Sequence, residues 1–218
     1  MKKTESYRTI RKEVFSTFLK MAEAGLVVAK EGNVSARVPG EEKIAITPSQ
    51  VPYNKMKPDD ILIVGFDEEL LLGKLRPSTE TKMHIAVYKA RNDVGGVIHT
   101  HSPYASALSC VGGRIPTLLD EQTVFLGGDI GTTPYALAGS LEIGANAAKA
   151  LMERDGTMLS NHGTICCGKT LEDALRNAIL VEKLAMIYIT AKTVGEISPI
   201  PPDIAEFEHQ YYKSLRKT

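Results

Sequence analysis

The sequence predicts an α/β fold in which a mixed or antiparallel sheet is covered by helices. Two observations carry this. Apolar runs of strand length recur along the chain, and hairpin turns separate them as often as helices do. That is the spacing of antiparallel neighbours, not of a doubly wound parallel sheet. Neither Gly-x-Gly-x-x-Gly nor a Gly-Lys-Ser/Thr phosphate loop occurs, so nucleotide cofactors are not expected. A chain of 218 residues is long enough for one well-buried domain, and a single domain over 1–218 is expected.

Residues 5–24 fit a helix, because Tyr7, Ile10, Val14, Phe18 and Met21 recur at three- and four-residue steps and Gly25 supplies a stop. Gly32-Asn33 turns into a strand, Val34-Ser35-Ala36-Arg37, and Lys43 to Thr47 alternates as its pair. Pro48-Ser49-Gln50 turns out of it. Asp60 to Phe66 is an apolar run of central-strand character, and Asp67-Glu68-Glu69 turns it back into Leu70–Leu72. Ser78 caps a helix to about Arg91 with Met83, Ala86, Val87 and Ala90 inward, and His84 rides on it as a surface or packing histidine. After Gly95-Gly96 comes the strand ending in His99 and His101, then a helix opened by Ser102-Pro103. Residues 116–119 and 123–126 read as short strands, and 127–129 and 131–134 as loops. Leu141 to Arg154 reads as a helix. A strand carrying His162 follows, with Thr164–Cys167 as its hairpin partner. Thr170-Leu171-Glu172-Asp173 opens a long helix to about Thr193. Ser198–Pro202 is a linker, and 203–216 a terminal helix.

Acidic and basic residues number 26 each, which argues against a nucleic-acid or membrane-surface partner. No apolar h-region follows Met1-Lys2-Lys3-Thr4-Glu5, so no signal peptide is expected, and no apolar run approaches the roughly 18 residues of a membrane span. Cys110, Cys166 and Cys167, odd in number and two of them adjacent, fit the reduced thiols of a cytoplasmic protein better than a disulfide framework. The adjacent pair reads as small buried hydrophobes, with a metal-binding pair as the alternative.

Val97-Ile98-His99-Thr100-His101 leads an apolar run into two histidines. Positions i and i+2 of a strand share a face, so His99 and His101 present two imidazoles side by side. That is half of a site for zinc, which accepts neutral imidazole nitrogen. Taken alone, the pair also reads as ordinary polar residues at a strand end. His162, in Met158-Leu159-Ser160-Asn161-His162-Gly163, and Glu80, in Arg76-Pro77-Ser78-Thr79-Glu80, also stand at the ends of elements. Together the four make a candidate metal shell. By itself Glu80 reads as a first-turn acid that favours the helix dipole. Lys82 and Lys169 read as solvated surface charges.

Five segments occur in order: Gly32-Asn33-Val34-Ser35, Ile46-Thr47-Pro48-Ser49, Pro77-Ser78-Thr79-Glu80, His99-Thr100-His101 and Asn161-His162-Gly163. Together they resemble the class II sugar-phosphate aldolase family, which also holds a pentulose-phosphate 4-epimerase and the non-enzymatic adducin-like modules. The resemblance implies a three-layer α/β/α fold with a mostly antiparallel sheet. It implies a divalent ion, usually zinc, on His99, His101 and His162, and a homotetramer with sites between subunits. Asn33, Ser49, Ser78 and Thr79 fall where the family holds the substrate phosphate, and Gln50 stands where a glycine is common.

The implied reaction is aldol cleavage of a ketose 1-phosphate, of the L-fuculose-1-phosphate kind, to dihydroxyacetone phosphate and an aldehyde through a zinc-stabilised enediolate. Glu80 is then the base, and a further metal ligand before substrate arrives. The chemistry suits the residues, since an ion on three neutral histidines keeps its charge for the oxygens of that anion. Asp120, with Glu121 beside it, falls on the position of a catalytic tyrosine donated by a neighbouring subunit. Tyr212 matches a tail tyrosine, though Tyr211 and Tyr212 read as well as aromatics packing the terminal helix. The 4-epimerase, or a dehydratase of a related sugar phosphate, is the rival on the same scaffold. The epimerase has aspartate where this chain has Glu80, which favours the aldolase. An adducin-like module lacks the complete histidine set that this chain keeps.

Overall fold

The computed structural model describes residues 2–216; Met1, Lys217 and Thr218 of the expected 1–218 domain lie outside the described residues. Its strands are β1 (Asn33–Arg37), β2 (Lys43–Ile46), β3 (Leu62–Gly65), β4 (Leu70–Leu72), β5 (Gly96–Thr100), β6 (Thr132–Thr133), β7 (Gly156–Leu159) and β8 (Gly163–Gly168). They form one sheet in the order β4-β3-β2-β1-β5-β8-β7-β6. Every pairing is antiparallel except β6 with β7. The helices are α1 (Lys2–Glu23), α2 (Thr81–Ala90), α3 (Pro103–Cys110), α4 (Asp120–Leu126), α5 (Leu141–Ala150), α6 (Leu171–Val194) and α7 (Pro202–Arg216).

Alternation along the strands splits the core in two. On one face, Val34, Ala36, Ile98 and Cys166 pack with Val14 and Phe18 of α1, Leu108 of α3, Leu126 of α4 and Val181 of α6. On the other, Ile44, Ile46, Val97 and Cys167 pack with Met83 and Val87 of α2 and Ile143 and Ala147 of α5. This is the three-layer α/β/α arrangement. It also settles the adjacent cysteines: Cys166 and Cys167 are both buried but point to opposite faces of β8, so they cannot converge on one ion. The inner strands β5 and β8 are buried at every position, as expected of strands covered on both sides.

Most elements stand where periodicity places them, and the exceptions have local causes. Residues 123–126 belong to helix α4, not to a strand. Asp120 and Glu121 occupy its first turn, favouring the dipole, and Gly127, at φ 87, closes it in the left-handed conformation with its N–H on Thr123 O. Residues 116–119 form no strand because the Gln122 side chain takes their polar groups, accepting from Leu118 N at 3.0 Å and donating to Pro116 O at 2.9 Å. Thr132–Thr133, expected as loop, forms the short strand beside β7. Ser102 does stand at the N-cap of α3, but its side chain makes no cap bond; Glu182 of α6 instead accepts from Tyr104 N and Ala105 N, both at 2.9 Å.

Ser78 is not the cap of α2. The helix starts at Thr81 with Glu80 at its N-cap, and Ser78 forms the preceding turn, its Oγ accepting from Glu80 N at 3.2 Å. The far end of α2 is pinned by Arg91. Its guanidinium, 4% exposed, bonds Asp93 at 2.6 Å and Asp155 at 2.8 Å, and donates to Leu151 O at 2.8 Å. Removing one partner from such a buried pair typically costs about 3–5 kcal/mol.

Candidate metal centre

Three neighbouring segments of the sheet and one helix start bring the site together. β1 and β5 are paired so that Asn33 lies opposite His99, and His101 follows just beyond the end of β5. His162 is not on a strand as expected but in the turn joining β7 to β8, where Asn161 adopts a left-handed φ of 54°, a conformation asparagine tolerates better than most residues. From the α2 face, Glu80 does not cap its helix with its side chain. Its Oε2 lies 3.0 Å from His99 Nε2 and its Oε1 3.0 Å from His162 Nε2. His99 Nε2 and His101 Nε2 are 2.8 Å apart. One donor atom from each of Glu80, His99, His101 and His162 lies within 4.8 Å of all the others.

The protonation pattern suits ligation. His99 Nδ1 is 2.8 Å from Thr164 O. A carbonyl can only accept, so a proton sits on Nδ1 and Nε2 is the ring nitrogen that faces the cluster. Burial lowers the His99 imidazole, but the charge and hydrogen bond of Glu80 outweigh it and raise it above the ordinary histidine value, so a cation that binds there takes the place of the Nε2 proton. Burial, and then the positive charges of His99 and His162, push His101 down to about 4, keeping it neutral. Burial alone would raise the Glu80 carboxyl, but the charge of His99 and hydrogen bonds from His162 and His99 outweigh it and hold it well below the usual carboxylate range. Glu80 Oε1 is buried against His162 Nε2, itself a candidate ligand, at 3.0 Å, a pair of donor atoms that an ion placed between them would satisfy. Imidazole nitrogens with a carboxylate oxygen are the donor set of a divalent transition metal. The group thus fits a metal shell, and the Glu80 carboxylate faces the histidines instead of capping its helix.

Two glycines allow this convergence. A Cβ on Gly163 would lie 2.2 Å from Thr100 O and 3.1 Å from the His101 ring. One on Gly32, already at φ 68, would lie 2.8 Å from His99 O. Neither position accepts a side chain without displacing a ligand.

Beside the four residues lies a cleft of about 460 Å³, lined by Ser49, Ser78 and Thr79 and also by Lys30 and Gln50. A bridge between Pro48 and Pro77, with Ser49 N donating to Arg76 O at 2.9 Å, sets Ser49 next to Ser78. Gln50 has φ 62, in the left-handed region that favours glycine, the residue that the resemblance implies there. Asn33 lines the cleft too, but its amide is engaged: Nδ2 donates to Glu80 Oε2 at 2.8 Å and Oδ1 meets His84 Nε2 at 2.5 Å. His84 is fully buried, and burial, followed by the charge of His99, pushes it down to about 3. Reading His84 as surface or packing missed this. The available signal was Glu80-x3-His84-x3-Tyr88, one helix face opposite Asn33-x-Ser35, one strand face. Lys30 was missed because nothing in the sequence says that its loop borders the cleft.

Residues 12–189 match the family described as Class II Aldolase and Adducin N-terminal domain. The chain belongs to the class II aldolase family. The chain is similar to the 5-deoxy-D-ribulose 1-phosphate aldolase of Bacillus thuringiensis serovar kurstaki, with 32% identity over 196 residues covering 90% of this chain and 92% of that protein. It is similar to the L-ribulose-5-phosphate 4-epimerase UlaF of Salmonella paratyphi B, with 32% identity over 205 residues covering 88% of this chain and 89% of that protein. Its fold is that of a solved L-fuculose 1-phosphate aldolase, with a TM-score of 0.89 at 30% identity over 94% of this chain and 96% of that one.

Other residues expected at the site of a class II aldolase lie apart from the cluster in this chain. Asp120, exposed, and Glu121, bonded to Lys183 at 2.6 Å, begin α4. Tyr212 is 2% exposed and stacks on His209, and its hydroxyl accepts from Arg216 at 3.1 Å. Burial and the nearby charge of Asp155 raise its phenol well above the ordinary value. Asp155 precedes β7, whose other end leads to the His162 turn. Within its own subunit Tyr212 packs at the far end of the sheet from the cluster, while Tyr211 is 53% exposed. Lys82 pairs with Glu68 at 3.8 Å and Lys169 donates to Leu215 O at 2.8 Å, away from the cleft.

Proposed function

We propose that this chain cleaves a ketose 1-phosphate, of the L-fuculose-1-phosphate or 5-deoxyribulose-1-phosphate kind, into dihydroxyacetone phosphate and an aldehyde, with zinc held by His99, His101 and His162. The observation that supports it is the convergence of three histidines and one buried carboxylate beside a hydroxyl-lined cleft. The ion, when bound, would supply Lewis-acid stabilisation of the negative charge that develops on the enediolate oxygens of C2 and C3. Everything else falls to the chain. In cleavage the C3–C4 bond breaks, the proton of the C4 hydroxyl leaves as the aldehyde forms, and a proton arrives at C3. Glu80, an ionised carboxylate in the cleft wall, exchanges the C3 proton. Ser49, Ser78 and Thr79 hold the phosphate with hydroxyls and with N–H groups near a helix start.

The acid or base for the C4 oxygen we assign to a neighbouring subunit of a homotetramer. Asp120 is the better candidate, because Lys183 engages Glu121 within its own subunit. Tyr135, Leu137 and Leu141, 64%, 69% and 74% exposed, flank Ala138 at the cleft rim, an apolar surface suited to subunit packing. Three free thiols fit a cytoplasmic location.

The test is proton exchange with the half-substrate. Zinc-loaded protein in deuterated water should exchange one of the two hydroxymethyl hydrogens of dihydroxyacetone phosphate, seen by NMR, before any aldehyde is added. No exchange at full zinc occupancy would replace the aldolase reading by the epimerase or dehydratase. Ser78→Ala and Thr79→Ala should each raise KM for the phosphorylated ketose about ten-fold, the loss of one hydrogen bond to a charged group. They should scarcely change it for the unphosphorylated sugar; equal losses on both would remove the phosphate assignment.

A further inference from the structure

We infer that His84 is a positioning residue for the metal centre, holding Glu80 in place through Asn33 by a hydrogen-bonded chain that runs from the cleft into the core. Helix α2 presents Glu80, His84 and Tyr88 at four-residue steps on one face, and β1 presents Asn33 and Ser35 at a two-residue step on the face opposite. The two rows interlock. Asn33 Nδ2 donates to Glu80 Oε2 at 2.8 Å; Asn33 Oδ1 meets His84 Nε2 at 2.5 Å; His84 Nδ1 meets Ser35 Oγ at 2.6 Å. Tyr88 OH closes the chain, 3.0 Å from Ser35 Oγ and donating to Ser35 O at 2.9 Å. Ser35, His84 and Tyr88 are fully buried, and Asn33 and Glu80 are 4% and 6% exposed.

The direction of every bond follows from its acceptors. The Glu80 carboxylate only accepts, so the amide nitrogen of Asn33 faces it and the amide oxygen faces His84. That oxygen only accepts, so His84 carries its proton on Nε2 and takes one from Ser35 at Nδ1. A flipped Asn33 would set its oxygen against the carboxylate and its NH2 against an N–H. The carboxylate thus sets the amide direction, and His84 holds it by giving the amide oxygen a donor; the Ser35 hydroxyl, which can donate or accept, donates to His84 Nδ1. Glu80 Oε1, 3.0 Å from His162 Nε2, is left aimed at His162 by the hold on Oε2.

Where the consequence concerns catalysis, this rests on the proposed role of Glu80; where it concerns metal affinity, it does not. The experiment uses His84→Leu, His84→Gln, Asn33→Ala and the Asn33→Ala/His84→Leu double variant, each checked for folding by circular dichroism. Zinc affinity is read by competition with a chelator, and hydrogen exchange of dihydroxyacetone phosphate by NMR. His84→Leu should weaken zinc and slow exchange by about 10–100-fold, the usual cost of losing an outer-shell partner. His84→Gln, whose amide can still donate to Asn33, should recover most of both. In the Asn33→Ala background, His84→Leu should add little, because the two act in series. Ser35→Ala, a smaller change, should move both readouts the same way by less. Wild-type zinc affinity in folded His84→Leu, or fully additive losses in the double variant, would overturn the inference. If the unmodified protein shows no exchange, it is the aldolase reading that fails, and the zinc measurements decide on His84 alone.

Discussion

Glu80→Gln is expected to slow hydrogen exchange from dihydroxyacetone phosphate by about 10²–10⁴-fold, the usual contribution of a general base, while His99, His101 and His162 still bind zinc. The substitution keeps the size and shape of the side chain, so the cleft survives. What it removes is the capacity of one oxygen to take a proton, since an amide nitrogen cannot accept one. The wild-type carboxylate is in its proton-accepting form at neutral pH, held so by its histidine partners against the effect of burial. Rate and metal content must be measured on the same sample, because a variant that lost both would report a broken site. Exchange undiminished in Glu80→Gln at full metal occupancy would transfer the role to Asp120 or Glu121 of a neighbouring subunit.

Chelation is expected to abolish activity altogether, with zinc, cobalt or manganese restoring it, and His101→Ala is expected to lose the metal without unfolding. The structure explains why His101 is the ligand to remove. Its side chain is 28% exposed, it follows the end of β5, and it leans on His99 and His162 at ring separations of 4.8 and 5.0 Å. His99 is a poorer choice: it is fully buried in an inner strand and bonded to Thr164 O, so its loss would leave a cavity and an unpaired carbonyl. Thermal unfolding of metal-free wild type and His101→Ala should nearly coincide. Full turnover in protein shown by elemental analysis to be metal-free would dismiss the metal assignment.

Much of this was open to reading because the signals are short in range. A strand repeats every two residues, which puts His99 on the same face as Val97 and brings His101 to the strand end beside it. Gly32-Asn33 and Asn161-His162-Gly163 announce turns through residues that accept left-handed backbone. Thr170 followed by Asp173 is a capping box, and both bonds form, Thr170 Oγ1 accepting from Asp173 N at 3.1 Å and Asp173 Oδ2 accepting from Thr170 N at 3.2 Å. Thr123-Val124-Phe125-Leu126 misled for the opposite reason. Its β-branched and aromatic residues favour strand, but Gly127 and the first-turn acids act over longer windows and produce a helix.

By itself the sequence determined most of the elements, the three histidines, Glu80 as a candidate partner and the family that their order resembles, because each depends on a pattern contained within a few residues. Tertiary structure alone decided how those side chains are placed. A helix start fixes where Glu80 begins α2, but only the packing of α2 across β1 and β5 sets its carboxylate between His99 and His162. The same packing makes His84 a buried member of the site and gives the Asn33 amide a direction. The docking of α7 beside α4 buries Tyr212 within its own subunit. Hydrogen bonds between residues some 50 apart in the chain leave no mark on local periodicity; they exist only once two surfaces, each regular in itself, are brought face to face.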